Sequence, residues 1–134
     1  MKILVVEDDY ISRTVLIRQL SVYGECDVAV NGTEALLAFD EAWESQTRYD
    51  LICLDIMMPE MDGQEVLARR REKETERGVE GFDGVKIVMT TALGDKDNII
   101  KAFHNQCEGY LVKPVVPEKL NSVMVELGFT PVVN

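Results

Sequence analysis

Four short apolar runs of this 134-residue chain end in residues that can do chemistry. Glu7-Asp8-Asp9 follows the run from Lys2 to Val6, and Asp55 closes the run that starts at Leu51. Thr90 and Thr91 follow Lys86-Ile-Val-Met89, and Lys113-Pro114 follows Gly109-Tyr-Leu-Val112. Taken singly these are ordinary, since Asp and Thr are common in turns and at helix starts. Taken together, each at the end of an apolar run, they describe one convergent site. Carboxylates gathered in one place repel, and some must protonate unless a cation joins them. Oxygen-only ligands suit a hard divalent cation such as Mg²⁺. Lys113 adds another positive charge, which at about 4 Å and an effective dielectric near 20 is worth about 4 kcal/mol. Such a site suits a phosphoryl group, whose oxygens want a metal, a lysine and a hydroxyl donor. A carboxylate can itself be the nucleophile, giving an aspartyl phosphate. Asp55, in the middle of the site, is the candidate.

The elements that must position these groups are legible as periodicity. Five β-like runs start near residues 2, 26, 51, 86 and 109, at intervals of 24, 25, 35 and 23 residues. Each interval holds a strand, a crossover helix and two loops. Three runs are almost continuously apolar, as strands covered on both faces are. Between them lie helical spacings. Ala35, Leu36, Phe39, Ala42 and Trp43 share a face, behind a capping-box-like start at Asn31 and Glu34. A first helix is expected from about Ser12 to Val22, ending before Gly24. The last carries Leu120, Val123, Met124 and Leu127 behind Pro117. Alternation repeated five times predicts an α/β fold with a parallel sheet and helices on both faces. Ligands of such sheets bind beyond the C-terminal strand ends, where the chemistry falls. The long interval contains Arg69 to Gly84, read as a lengthened third helix with a solvated charged face, ending near Gly78, then a longer loop.

Composition narrows the function. A chain with 46% hydrophobic and 28% charged residues folds as one domain. No apolar run approaches the ~18 residues of a membrane helix. The start runs straight into a strand with no signal peptide, so no membrane association is expected. The net charge of −10 argues against direct nucleic-acid binding. Cys26, Cys53 and Cys107 form no metal or disulfide pattern, which suits a reducing cytoplasm, and they read as small hydrophobes. Trp43 reads as part of its core-facing stripe, and His104, the single histidine, as a surface residue.

ILVVEDD at 3–9, LICLDIMMPEMDG at 51–63, IVMTTA at 87–92 and YLVKP at 110–114, in this order, closely resemble the receiver domain of two-component response regulators. The resemblance, of the stand-alone chemotaxis type, covers Lys2 to about Leu127. It implies a flavodoxin-like (βα)5 fold, with a five-stranded parallel sheet in the order 2-1-3-4-5, a domain over 1–128 and a tail over 129–134. It implies that Asp55 is the phosphoacceptor, that Asp8 and Asp9 are the acid pair with Asp9 a direct Mg²⁺ ligand, and that Met57 lends its backbone carbonyl to the metal. Lys113 would contact the phosphoryl group, Thr91 and Tyr110 would be the switch pair, and the Lys113-Pro114 bond would be cis. Met58, Pro59, Asp62 and Gly63 would shape the loop after the acceptor, Pro59 and Gly63 as turn residues.

The implied role is a phosphorelay switch. A sensor histidine kinase or histidine phosphotransfer protein would supply the phosphoryl group, and a separate downstream protein would read the changed surface. The domain would catalyse only its own phosphorylation and dephosphorylation, so it is not expected to be an enzyme acting on a metabolite. Only seven residues follow Leu127, too few for an output domain. Two other classes share the sheet. A phosphotransferase of the haloacid dehalogenase type wants a second Asp two residues after the nucleophile, where this chain has Met57. A flavin or nucleotide carrier wants GxGxxG or GxxxxGK[ST], and neither is present.

Overall fold

The computed structural model describes residues 1–79, 84–92 and 94–132. Strands and helices alternate along it: β1 (Lys2–Val6), α1 (Tyr10–Leu20), β2 (Glu25–Ala29), α2 (Gly32–Glu44), β3 (Leu51–Asp55), α3 (Gly63–Glu76), β4 (Lys86–Thr91), α4 (Lys96–His104), β5 (Gly109–Val112) and α5 (Pro117–Glu126). All strand pairs are parallel and the sheet order is β2-β1-β3-β4-β5. This is the flavodoxin-like architecture expected from the spacing and the resemblance. No helix among the described residues is long and apolar enough to cross a membrane.

The period-two alternation of the central strands builds a core on each face of the sheet. Leu4, Val6, Ile52, Leu54, Ile87 and Met89 pack toward α2 and α3, meeting Ala35, Phe39, Val66 and Leu67. Ile3, Val5, Leu51, Cys53 and Val88 pack on the other face against Leu16, Leu20, Leu120 and Met124 of α1 and α5. Ile52 and Leu54 are wholly buried, so truncation of either to Ala would cost about 2–5 kcal/mol. Parallel register carries β1, β3, β4 and β5 to one common rim, with Val6 opposite Leu54, Asp55 opposite Thr90, and Thr91 opposite Val112. Thr90 and Thr91 are thus the last strand residues of β4 rather than loop residues.

Several local expectations need correction. The helix α1 starts at Tyr10, two residues before Ser12, because Asp9 caps it by accepting the Ser12 N–H. The long charged helix does end near Gly78, which adopts a positive φ of 78° two residues past Glu76. Its charges are not all solvated, however. Arg70 and Glu74 are about 95% buried, and Arg71 reaches Glu74, Glu108 and the carbonyls of Val85 and Gln106. This network ties the end of α3 to the starts of β4 and β5. Residues 80–83 of the loop expected after it lie outside the described residues.

Trp43 is not core but half-buried, with the Arg48 and Arg77 guanidiniums 3.7 and 4.7 Å from its ring. Cys53 and Cys107 are buried small residues, and burial pushes their thiols up to about 12 and about 11. Cys26 is half-buried, and His104 is exposed at the end of α4. The segment after α5 is not detached: Phe129 packs on the α1–α5 core, and the Val132 N–H donates to the Val22 carbonyl.

Candidate functional site

The rim site is assembled by main-chain hydrogen bonds that extend the sheet by one residue. The Glu7 N–H donates to the Ala29 carbonyl, that of Ile56 to Thr90, and that of Lys113 to Thr91. Glu7 therefore still sits as a strand residue beside Asp55, and the chain turns away only at Asp8. Glu7 is wholly buried and Asp55 is 3% exposed. Carboxylate oxygens of Glu7, Asp8 and Asp55 lie within 4.8 Å of one another.

Lys113 closes the cluster. Its ammonium lies 2.5 Å from Glu7 Oε1 and 3.2 Å from Asp55 Oδ1. Asp55 Oδ1 also accepts the Met57 N–H at 3.2 Å, which fixes the orientation of the carboxylate. Burial, then the hydrogen-bonded neighbour Asp55, push the Glu7 carboxyl up to about 7 against the pull of Lys113. Burial draws the Lys113 ammonium down, but the hydrogen bond to Glu7 and the charge of Asp55 outweigh it and raise it. Glu7 Oε2 is buried with no hydrogen-bond partner among the described residues. An orphaned buried carboxylate oxygen, two more carboxylates beside it and an all-oxygen donor set fit a hard divalent cation.

Asp9 does not join the cluster, which corrects its expected role as a direct ligand. Its exposed carboxylate accepts the Ser12 N–H at 2.9 Å, and this bond holds its pKa below the usual carboxylate range. The place expected for it is taken by Glu7. Two further groups went unread in the sequence. Arg13 Nη1 donates to the Glu7 carbonyl at 3.0 Å and fixes the backbone that carries the buried carboxylate. Asp95 receives Thr91 Oγ1 at 3.4 Å.

The remaining expected residues fall around the rim. Thr91 is fully buried and Tyr110 is 42% exposed, with its ring edge-on to Phe103. The Lys113-Pro114 bond is cis. The Met57 side chain is exposed, and Met58 is buried in the core. Asp62 caps α3 by accepting the Glu65 N–H. Gly63 is needed for room rather than for a turn, since a Cβ there would lie 2.2 Å from the Asp55 carbonyl oxygen. Ile11 and Val15 stay exposed beside Lys113, Pro114 and Val115, so an apolar shoulder borders the site.

Many known proteins resemble this chain in sequence or in fold. Residues 3–124 match the response regulator receiver domain. The chain is 38% identical over 124 residues to the transcriptional regulatory protein ResD of Bacillus subtilis, covering 89% of this chain and 44% of that one. It is 32% identical over 128 residues to the hybrid signal transduction histidine kinase L of Dictyostelium discoideum, covering 95% of this chain and 7% of the kinase. It thus spans less than half the length of these relatives. Among solved structures it resembles the receiver domain of Saccharomyces cerevisiae Ssk1, crystallised with the histidine phosphotransfer protein Ypd1, with a TM-score of 0.82 and 29% identity over 96% of this chain and 88% of that one. The Vibrio cholerae chemotaxis protein CheY4 matches with a TM-score of 0.75 and 27% identity, over 94% and 97% of the two chains.

Proposed function

This chain belongs to the response regulator receiver domain family, and on that premise we propose that Asp55 accepts a phosphoryl group and that the change in charge alters the surface read by partner proteins. The observation that carries the reading is the cluster at the strand ends in which exposed Asp8 and half-buried Lys113 meet the buried carboxylates of Glu7 and Asp55. A donor phosphohistidine or small acyl phosphate places its phosphorus against the Asp55 carboxylate. A carboxylate oxygen forms the new P–O bond, and the bond from phosphorus to the donor breaks with its electron pair leaving on the donor. Lys113 gives its ammonium to the phosphoryl oxygens, and the Thr91 hydroxyl donates to one of them. Hydrolysis by water returns Asp55 to the carboxylate. The domain catalyses these two steps on itself and turns over no outside metabolite.

Mg²⁺ would be held by Glu7, Asp8, Asp55 and the Met57 carbonyl. When bound it supplies the charge that keeps clustered carboxylates ionised and draws phosphoryl oxygens in. The surface response involves Thr91 and Tyr110. Withdrawal of Thr91 toward the phosphoryl group opens space that the Tyr110 ring, now against Phe103, can enter. The partner on the donor side is a histidine kinase or histidine phosphotransfer protein, for which the apolar shoulder of Ile11 and Val15 is accessible beside the acceptor. The place of action is the cytoplasm.

Incubation with Mg²⁺ and acetyl phosphate tests this reading. Stoichiometric incorporation, lost on chelation, is the expected result. Continuous release of phosphate with no phosphorylated chain would point to a phosphatase instead.

A further inference from the structure

Four of the five helices start at an Asp or Asn, and three of them use it in the same way. Asp9, Asn31 and Asp62 each accept the N–H three residues ahead, from an extended backbone with ψ of 123°, 173° and 171°. Asp95, at the same place before α4, does not. Its ψ is 56° and its side chain makes no cap hydrogen bond. The carboxylate is engaged elsewhere: Asn98 Nδ2 donates to both oxygens at 2.9 Å, and Thr91 Oγ1 donates to Oδ2 at 3.4 Å.

Thr91 is held loosely. Its hydroxyl is fully buried, and its other acceptor among the described residues, the Ala92 carbonyl, is 3.5 Å away. Both contacts are longer than an ordinary hydroxyl hydrogen bond. The Asn98 main chain is held firmly, since Gln64 Nε2 on α3 donates to its carbonyl at 2.6 Å. A loosely held donor therefore shares Asp95 with a helix end whose amide stays uncapped by any side chain.

We propose that Asp95 is a positioning residue that couples the Thr91 hydroxyl to the first turn of α4. The inference rests on the receiver reading, in which a phosphoryl group at Asp55 offers that hydroxyl a charged acceptor. One hydroxyl proton cannot serve both acceptors. When Thr91 turns to the phosphoryl oxygen, Asp95 Oδ2 loses one of its two donors, keeping Asn98 Nδ2, and can take the Asn98 N–H, as the other three caps take theirs. The helix then gains a side-chain cap, with a carboxylate at its positive end. Phosphorylation in this way firms the start of α4, a consequence separate from the rotation of Tyr110.

Amide hydrogen exchange on the whole chain tests this, with Mg²⁺ and beryllofluoride as the probe. In the wild type the Asn98 amide should become about fivefold better protected on addition of the probe, the factor that an N-cap is worth. Asp95→Asn keeps an acceptor oxygen and should retain the gain, while Asp95→Ala should lose it and still be phosphorylated on Asp55. Thr91→Ala removes the competing donor and should protect Asn98 before any probe is added, which a merely structural cap would not do. An Asn98 amide that exchanges alike in wild type and Thr91→Ala, and is unmoved by the probe, overturns the coupling. A probe that perturbs no amide near Asp55 contradicts the receiver reading itself, whatever Asn98 does.

Discussion

Glu7 and Lys113 meet across the end of the sheet, carboxylate oxygen to ammonium nitrogen at 2.5 Å, with Glu7 wholly buried. The pair is balanced only while both partners are present. Lys113→Met leaves a buried carboxylate without its cation, and breaking such a pair typically costs about 3–5 kcal/mol. Glu7 escapes the cost by taking up a proton. Urea unfolding should therefore show a large loss of stability at pH 8 and a small one at pH 5, with Glu7→Gln recovering most of the loss at pH 8. Equal losses at both pH values would show that Glu7 does not depend on Lys113.

The same carboxyl sets a pH dependence in the wild type. Its pKa is raised from 4.5 to about 7, so between those values the folded chain keeps a proton that the unfolded chain has released. Its contribution to stability then falls as pH rises through that window. Lys113, raised above 10.5, works in a different range: its contribution is complete below 10.5 and is lost as pH climbs through the folded value. On the proposed reading Glu7 must be ionised to hold the metal, so Mg²⁺ affinity should rise about tenfold from pH 6 to pH 8, with protons released on binding near pH 7. Calorimetric titration in buffers of different ionisation enthalpy measures both. A flat affinity with no proton release would place the metal away from Glu7.

The resemblance implies Asp9 as a direct metal ligand, whereas it is Glu7 whose carboxylate lies with those of Asp8 and Asp55. Glu7→Gln should weaken Mg²⁺ binding at pH 8 by an order of magnitude or more, through loss of a charged ligand. Asp9→Ala should leave the affinity nearly unchanged and cost about 1 kcal/mol of stability, the value of an N-cap. Titrating both variants and unfolding both in urea gives the comparison. Stronger weakening in Asp9→Ala than in Glu7→Gln would restore Asp9 as the ligand.

The reason Asp9 misleads is local. The five strands and the strand-end positions of Asp55, Thr91 and Lys113 follow from apolar periodicity and a repeated interval, while the sheet order that makes those ends neighbours is what the family resemblance implies. A helix start is set by one or two side-chain hydrogen bonds, and two positions of error there change what a carboxylate is for. Placing the start at Ser12 leaves Asp9 free, whereas the Asp-x-x-Ser spacing marks it as a cap. The buried half of α3 is hidden for a related reason. A run as polar as RRREKETER reads as solvated, yet Arg71 and Glu74 go inward because the residues just before β4 and β5 offer carbonyls, an amide and Glu108 to meet them. Those partners are 11 to 37 residues distant in sequence. The tie between Thr91 and Asp95 spans only four residues, but it depends on the backbone angle of Asp95, which residue types do not specify.

The most direct measurement is the mass of the phosphorylated chain and of its proteolytic fragments after incubation with Mg²⁺ and acetyl phosphate. One phosphoryl group on the fragment containing Asp55, absent in Asp55→Asn and absent without Mg²⁺, is the expected result. A phosphoryl group on another residue of the wild type, or its persistence in a folded Asp55→Asn variant, would contradict the assignment of Asp55 as the acceptor.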